Sequence, residues 1–97
     1  MPVYLIIDIT IRDQEMYADY VDQVPAVVER YGGHYLVRGG GVTPLSGDWH
    51  PERIIVVEFD GIEQIQDFLS SPEYQGLVPL REQSTTSRSV IVEGSAF

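Results

Sequence analysis

The sequence predicts one α+β domain, built from two β-α-β units that a long hairpin joins into a four-stranded antiparallel sheet. Two β-branched runs are each followed by apolar residues at helical spacing, and each helical pattern is followed by a further strand-like segment. A chain of 97 residues forms a single modest core, so residues 1–97 are expected to be one domain.

The first unit begins with "VYLIIDITI", Val3–Ile11, whose apolar residues lie on both faces of the predicted strand. Asp13 is suited to cap the helix that follows, because its side chain can accept a hydrogen bond from a free backbone N–H. Pro25 lies inside the helical pattern and is expected to bend it. Gly32 and Gly33 then end the helix, where a left-handed cap favours glycine.

The central part of the chain predicts a hairpin. "HYLVR", His34–Arg38, is the second strand, Gly39 opens a long turn that extends to Pro51, and "RIIVVEF", Arg53–Phe59, is the third strand. A dinucleotide-binding loop needs its glycines between a strand and a following helix, whereas these follow a helix or precede a hairpin. The glycine-rich stretch is therefore predicted to be structural.

The second unit closes with helices and a fourth strand. "DGIE" has the spacing of a capping box, so Asp60 and Glu63 are expected to begin a helix. Ser71 and Pro72 favour a further helical segment after it, as cap and first helical residue. "RSVIVE", Arg88–Glu93, is the predicted last strand.

This order of elements predicts a ferredoxin-like βαββαβ arrangement with strand order 4-1-3-2 and the helices on one face, because crossovers are right-handed and chains are not knotted. The other face of the sheet is then open, although strands one and three are apolar on both sides. A second copy of the chain is expected to cover it, giving a symmetric homodimer and a dimeric α+β barrel. The alternative is cover by the long hairpin and the C-terminal tail.

Composition excludes several functions. Cysteine and lysine are absent, which removes disulfides, thiolate chemistry and Schiff bases, and all six basic residues are arginine. The formal net charge of −9 opposes binding to nucleic acid or to an anionic membrane. With no signal segment and no apolar run long enough to cross a bilayer, the sequence predicts a cytoplasmic protein.

Chain direction brings four charged residues to one edge of the predicted sheet. They are Asp8, Arg38, Arg53 and Arg88. One interpretation is an anion-binding rim, since the arginine fork orients and neutralises a carboxylate or phenolate. The other is a structural network in which Asp8, Asp48 and Glu52 pair with the arginines. Glu58 falls at the opposite end of its strand.

The remaining candidates are two histidines and the aromatic residues. His34 and His50 share no helical face, so no metal site and no cofactor are predicted. Trp49, on a polar turn, is expected to pack on a partner subunit or on a bound ligand. Tyr20 and Tyr74 are expected in the core, where a hydroxyl group can border a cavity between helices and sheet.

The motifs "YGGHYLVRGG", "GDWHPERIIVVEF", "SSPEYQ" and "VIVEG", present in this order, resemble those of the domain-of-unknown-function 1330 family, a branch of the dimeric α+β barrel superfamily. The resemblance spans nearly the whole chain and implies a ferredoxin-like protomer that dimerises through its sheets. Positions matching the family's pattern include Tyr20, Arg38, Arg53, Tyr74 and Arg81. Relatives in the superfamily include cofactor-free monooxygenases and haem enzymes; the latter use a helical histidine, which this chain is not predicted to have.

Two functions follow from these observations. The first is the binding of a small organic molecule, for which an anion is the favoured class, in a cleft between sheet and helices. If the protein is an enzyme, the expected chemistry is cofactor-independent oxygenation or isomerisation. The candidate ligand-binding residues are Arg38, Arg53, Glu58, Tyr74, Tyr20 and Trp49. The alternative is a non-enzymatic dimerisation module with no small-molecule substrate.

Overall fold

The computed structural model describes residues 1–94 and contains one four-stranded antiparallel sheet with strand order β2-β3-β1-β4. The elements in chain order are β1 Val3–Ile11, α1 Gln14–Arg30, β2 His34–Arg38, β3 Arg53–Phe59, α2 Ile62–Ser70, α3 Pro72–Gln75, α4 Val78–Ser84 and β4 Thr85–Glu93. This order of strands and helices confirms the predicted α+β, ferredoxin-like fold.

One face of the sheet forms the core together with the helices. Along β1 and β3 the odd-numbered positions Val3, Leu5, Ile55, Val57 and Phe59 are buried, in register with one another across the strand pair. They pack with Tyr17, Val24 and Val28 of α1 and with Ile65 and Phe68 of α2. The apolar face that period-two alternation gives the strands thus packs against the apolar faces of the helices.

Helix α1 starts and stops where the sequence predicts. The Asp13 side chain accepts a hydrogen bond from the Met16 backbone N–H at 3.0 Å, and Pro25 lies inside the helix, which continues on both sides of it. Gly32 has φ +83°, a left-handed value that costs glycine little. At Gly33 a Cβ atom would lie 2.9 Å from Phe59 Cζ, so the chain enters β2 by a close approach that only glycine permits.

The predicted capping box is wrong. Helix α2 begins at Ile62 with Gly61 as its N-cap, and no side chain caps it, so Asp60 lies one position too early to satisfy the first free N–H groups. The predicted cap at Ser71 is confirmed, because its Oγ accepts from the Tyr74 N–H at 3.1 Å and donates to the Phe68 carbonyl at 2.8 Å.

Strand β4 is three residues longer at its start than predicted. It begins at Thr85, immediately after α4, because Thr85 pairs with Ile11 at the end of β1. The polar run from Thr85 to Ser89 carries no strand-like alternation, which is why the sequence placed the start at Arg88.

The second face of the sheet, called here the open face, carries the even-numbered positions of β1, β3 and β4. Tyr4 lies opposite Val92, and Ile6 lies between Val56 and Val90, so apolar side chains run across three strands. Val90 is 57% exposed and Val92 44% exposed. The hairpin contacts this face through Trp49, whereas residues 95–97 of the predicted covering tail lie outside the described residues.

No helix within residues 1–94 is long and apolar enough to cross a membrane.

Candidate functional site

A cavity lies between the helix-facing side of the sheet and the helices, and its polar lining consists of tyrosine and arginine. The accessible volume of the cavity is about 50 Å³. One water needs roughly 10–15 Å³ on the same measure, so several waters or part of a small molecule can enter. Apolar side chains of β1, β3 and α1 form most of the wall. The polar lining residues are Tyr17, Tyr20, Tyr35, Tyr74, Arg38, Arg53 and Arg81. We call this space the tyrosine–arginine cavity.

Arg53 is held in a fixed position at the cavity. Its Nε donates to the Tyr17 hydroxyl at 3.0 Å, and its terminal nitrogens donate to the carbonyl oxygens of Gly39 at 3.3 Å and Arg38 at 3.4 Å. Each of these acceptors is neutral, so the guanidinium keeps its positive charge uncompensated. Gly39, with φ +75°, lies against the guanidinium so closely that a Cβ atom there would overlap it.

Arg38 lies at the exposed side of the same cavity, with its guanidinium carbon 4.8 Å from the centre of the Tyr35 ring. A β-bulge makes this possible: Tyr35 pairs with Val57 and Val37 with Val56, so Leu36 is an extra residue. The bulge puts Tyr35 and Arg38 on one face, although strict alternation would separate residues three positions apart.

The structural network weighed as the alternative accounts for Arg88 but not for Arg38 or Arg53. Asp8 Oδ2 accepts from Arg88 Nε at 3.0 Å, and Glu52 Oε1 accepts from the Ile11 backbone N–H at 3.3 Å. Among residues 1–94 no carboxylate forms an ion pair with Arg38 or Arg53. The predicted rim is therefore divided between the two faces of the sheet, and the two arginines that face the helices carry free positive charge.

Two tyrosines and a third arginine form another part of the cavity wall. The hydroxyl groups of Tyr20 and Tyr74 lie 3.3 Å apart, and Arg81 Nη1 donates to Tyr74 at 3.5 Å. Burial raises the pKa of Tyr20, and the neighbouring Tyr74 raises it further. Burial also raises the pKa of Tyr35. These two phenols therefore stay protonated at neutral pH and can donate hydrogen bonds.

Sequence reasoning did not propose Arg81 as a binding residue, yet it lines this cavity. Its Nε is buried and has no hydrogen-bond partner among the described residues. The sequence held two signals for this position. Arg81 matches the pattern of the resembled family, and it follows the buried Leu77 by four residues, a spacing that places two residues on the same helix face.

Two of the predicted binding residues lie away from the cavity, on the open face. Glu58 stands opposite Tyr4 of β1 and His34 of β2. Trp49 Nε1 donates to Asp8 Oδ2 at 2.8 Å, and this hydrogen bond, with that from Arg88, lowers the pKa of Asp8. The structure thus brings together Arg38, Arg53, Tyr20 and Tyr74 and separates them from Glu58 and Trp49.

Within the described part of the chain, no group of three or more histidine, aspartate and glutamate side chains is arranged to hold a metal ion.

Comparison with solved structures gives proteins of the same fold. A protein of unknown function from Rhodopseudomonas palustris is 22% identical, with a TM-score of 0.81 over 97% of this chain and 82% of that one. SnoaB, a cofactor-independent oxygenase from Streptomyces nogalater, is 10% identical, with a TM-score of 0.72 over 99% and 95%. A dimeric ferredoxin-like protein of unknown function from Bacteroides fragilis is 14% identical, with a TM-score of 0.58 over 96% of each chain.

No curated protein matches the chain significantly. The model of the domain of unknown function DUF1330, in contrast, matches residues 2–95, which is nearly the entire sequence. The resemblance carried by the glycine, tryptophan and proline motifs is thereby confirmed, and the chain belongs to the DUF1330 family.

Proposed function

We propose that the protein is a homodimer that binds a small organic anion in the tyrosine–arginine cavity. The observation that carries the proposal is the charge of the cavity wall: among residues 1–94, three arginines and four tyrosines line it and no aspartate or glutamate does, in a chain whose net charge is −9. Arg38 and Arg53 have no carboxylate partner among residues 1–94, so a carboxylate or phenolate bound in this largely apolar cavity would supply the missing negative charge.

The donors around the cavity also limit the chemistry it can perform. The guanidinium groups and the protonated phenols can stabilise an oxyanion, whereas no carboxylate or histidine within the described part of the chain lines the cavity to remove a proton. The cavity therefore supports the binding of a molecule that is already anionic at neutral pH. Cofactor-independent oxygenation or isomerisation, the chemistry predicted from the sequence, would use the same anion stabilisation, and the structural likeness to SnoaB supports this class of reaction by fold analogy alone.

Dimerisation through the open face is supported by the apolar side chains that this face exposes. Val90 and Val92 lie beside Ile6 and Tyr4 on neighbouring strands, and an exposed apolar surface of this kind is usually covered. A structural relative with the same ferredoxin-like fold is described as dimeric. A symmetric pair would use the same patch twice, and the cavity, on the opposite side of each sheet, would remain accessible.

The test of ligand binding is a thermal-shift and calorimetric screen against small aromatic and aliphatic carboxylates and phenols. We expect at least one aromatic acid to raise Tm progressively with the logarithm of its concentration above Kd, and we expect the Arg38→Ala variant to lose this shift because it removes an exposed guanidinium from the cavity mouth. Arg30→Ala is the matched control, since Arg30 pairs with Glu73 on the surface at 2.9 Å. A flat screen would favour the alternative, a dimerisation module without a ligand.

A further inference from the structure

Resting on the proposed function, we propose that the ligand carries two separate acidic groups on an aromatic framework, and that Arg81 binds the second of them. Arg38 and Arg53 would hold one group, and Arg81, with the hydroxyls of Tyr20 and Tyr74, would hold the other. This assigns Arg81 a role in ligand specificity and narrows the ligand class from an organic anion to an aromatic dianion.

The three arginines reach the cavity from different sides. Arg38 and Arg53 belong to β2 and β3, and they share contacts through the Arg38 and Gly39 carbonyls. Arg81 belongs to α4, which leads directly into β4. Arg38 and Arg53 thus reach the cavity from the sheet, whereas Arg81 reaches it from the helix layer, where α4 packs against α1. Two positive groups on different sides of one cavity fit two negative groups on one ligand.

The hydrogen bonds of the arginines point to the same division. Arg53 donates a hydrogen bond to Tyr17, whereas Arg81 donates one to Tyr74, whose hydroxyl is in turn hydrogen-bonded to that of Tyr20. The rings of Tyr17 and Tyr20, one from each set of contacts, are stacked with centres 6.0 Å apart. A flat aromatic framework suits a lining of tyrosine rings, since offset or edge contacts between rings are favourable.

Arg81 has an unmet hydrogen bond. Its Nη2 lies 3.6 Å from the exposed Glu82 carboxylate, which engages one side of the guanidinium, but its Nε is buried and has no acceptor among residues 1–94. A buried donor without an acceptor is unfavourable. A hydrogen bond from this donor to the ligand would therefore contribute more binding free energy than one from an exposed arginine. A carboxylate can accept from Nε and from a terminal nitrogen together.

The experiment compares terephthalate, which has two opposed carboxylates, with its monomethyl ester, which has one. Calorimetric titration of the wild-type protein should give about tenfold or tighter affinity for terephthalate, the size expected of one added charge-assisted contact. In the Arg81→Gln variant, terephthalate should fall to the affinity of the ester, and the ester should bind as it does to the wild type. Circular dichroism and Tm check that the variant is folded, and Arg30→Ala again serves as the matched control.

Each other result overturns the inference. If both ligands bind equally to the wild type, or if Arg81→Gln weakens the ester as much as terephthalate, then all the arginines serve a single anion or Arg81 has no role in specificity. Arg81→Lys keeps the positive charge and should bind terephthalate more tightly than Arg81→Gln does. If folded Arg81→Lys binds terephthalate no more tightly than Arg81→Gln, the role given to Arg81 is also wrong. Failure of the proposed function is a distinct result, in which neither ligand nor any other acid in the screen binds.

Discussion

At the scale of single residues, the position of Arg53 depends on a glycine. The Arg53 guanidinium donates to the Gly39 carbonyl and lies directly against the Gly39 Cα, leaving no space for a side chain. The glycine that sequence analysis explained as the opening of a hairpin therefore has a second role, because it shapes the wall of the tyrosine–arginine cavity.

We expect Gly39→Ala to weaken ligand binding about tenfold or more, because the new Cβ displaces a guanidinium that contributes a charge-assisted hydrogen bond. The variant should also lose about 1–2 kcal/mol of stability, since φ at this position is positive. Affinity is measured by calorimetry and stability by urea unfolding.

Two other glycines provide the controls for this prediction. Gly32→Ala introduces the same backbone strain, at φ +83°, with no atom within 4 Å of the new Cβ, and Gly40→Ala introduces neither strain nor contact. Gly32→Ala should lower stability and leave binding unchanged, and Gly40→Ala should change neither. Equal loss of binding in Gly32→Ala and Gly39→Ala would contradict the role given to Arg53.

The buried phenol of Tyr20 predicts a loss of stability in alkaline solution. Its pKa in the folded protein lies above the ordinary value of 10.0, so above that pH the unfolded chain releases a proton that the folded chain retains. The free energy of unfolding should be unaffected by this group below about pH 10 and should fall by up to about 1.4 kcal/mol per pH unit above it. Urea unfolding between about pH 9 and pH 11 should show a shallower decline for Tyr20→Phe than for the wild type. Identical slopes would refute this assignment.

At the scale of secondary-structure elements, hydrophobic period and turn chemistry predicted nearly every strand and helix, because buried stripes and caps are local properties of the chain. The face on which the arginines lie was not predictable. A change of one residue in register moves every side chain of a strand to the other face of the sheet. The bulge at Leu36 places Tyr35 and Arg38 on the same face, although strict alternation of side chains would put them on opposite faces. Trp49 was placed beside the arginines because chain direction reveals the edge of a sheet but not its face. Glu58, which chain direction already placed at the opposite end of its strand, also lies on the open face.

Two of the predicted helix caps, Ser71, which is confirmed, and Asp60, which is wrong, can be compared directly. Ser71→Ala removes a buried Oγ that accepts from Tyr74 and donates to Phe68, so it should cost about 1–2 kcal/mol. Asp60→Ala should change stability by less than about 0.5 kcal/mol, since Asp60 is exposed and α2 has no side-chain cap. Chemical unfolding of both variants checks this, and a larger loss for Asp60→Ala would mean that the box forms in solution.

At the scale of the whole molecule, the sheet separates two surfaces. Its helix-facing side forms the tyrosine–arginine cavity, and its open face carries the apolar patch proposed to bind a second copy. This separation explains why the residues predicted from the sequence divide into two groups. Arg38, Arg53, Tyr20 and Tyr74 belong to the cavity, whereas Trp49 and Glu58 belong to the side on which a partner would pack.

The dimer prediction is tested by placing a charge in the apolar patch. Val90→Asp should convert a dimer to a monomer in sedimentation equilibrium at micromolar concentration, because a buried carboxylate without a partner opposes association by several kcal/mol. Ile62→Asp is the control, since Ile62 is 43% exposed on α2, in the helix layer away from the open face, and its replacement should leave the dimer intact. A wild-type protein that sediments as a single chain would contradict the proposed assembly.

The most direct test of the anion site is a crystal structure of the protein with the tightest-binding aromatic acid of the screen. We expect the ligand to lie between sheet and helices, with a carboxylate or phenolate oxygen within hydrogen-bond distance of the Arg38 or Arg53 guanidinium and its ring against Tyr35 or Tyr17. Ligand density on the open face beside Trp49 and Arg88, with an empty tyrosine–arginine cavity, would contradict it.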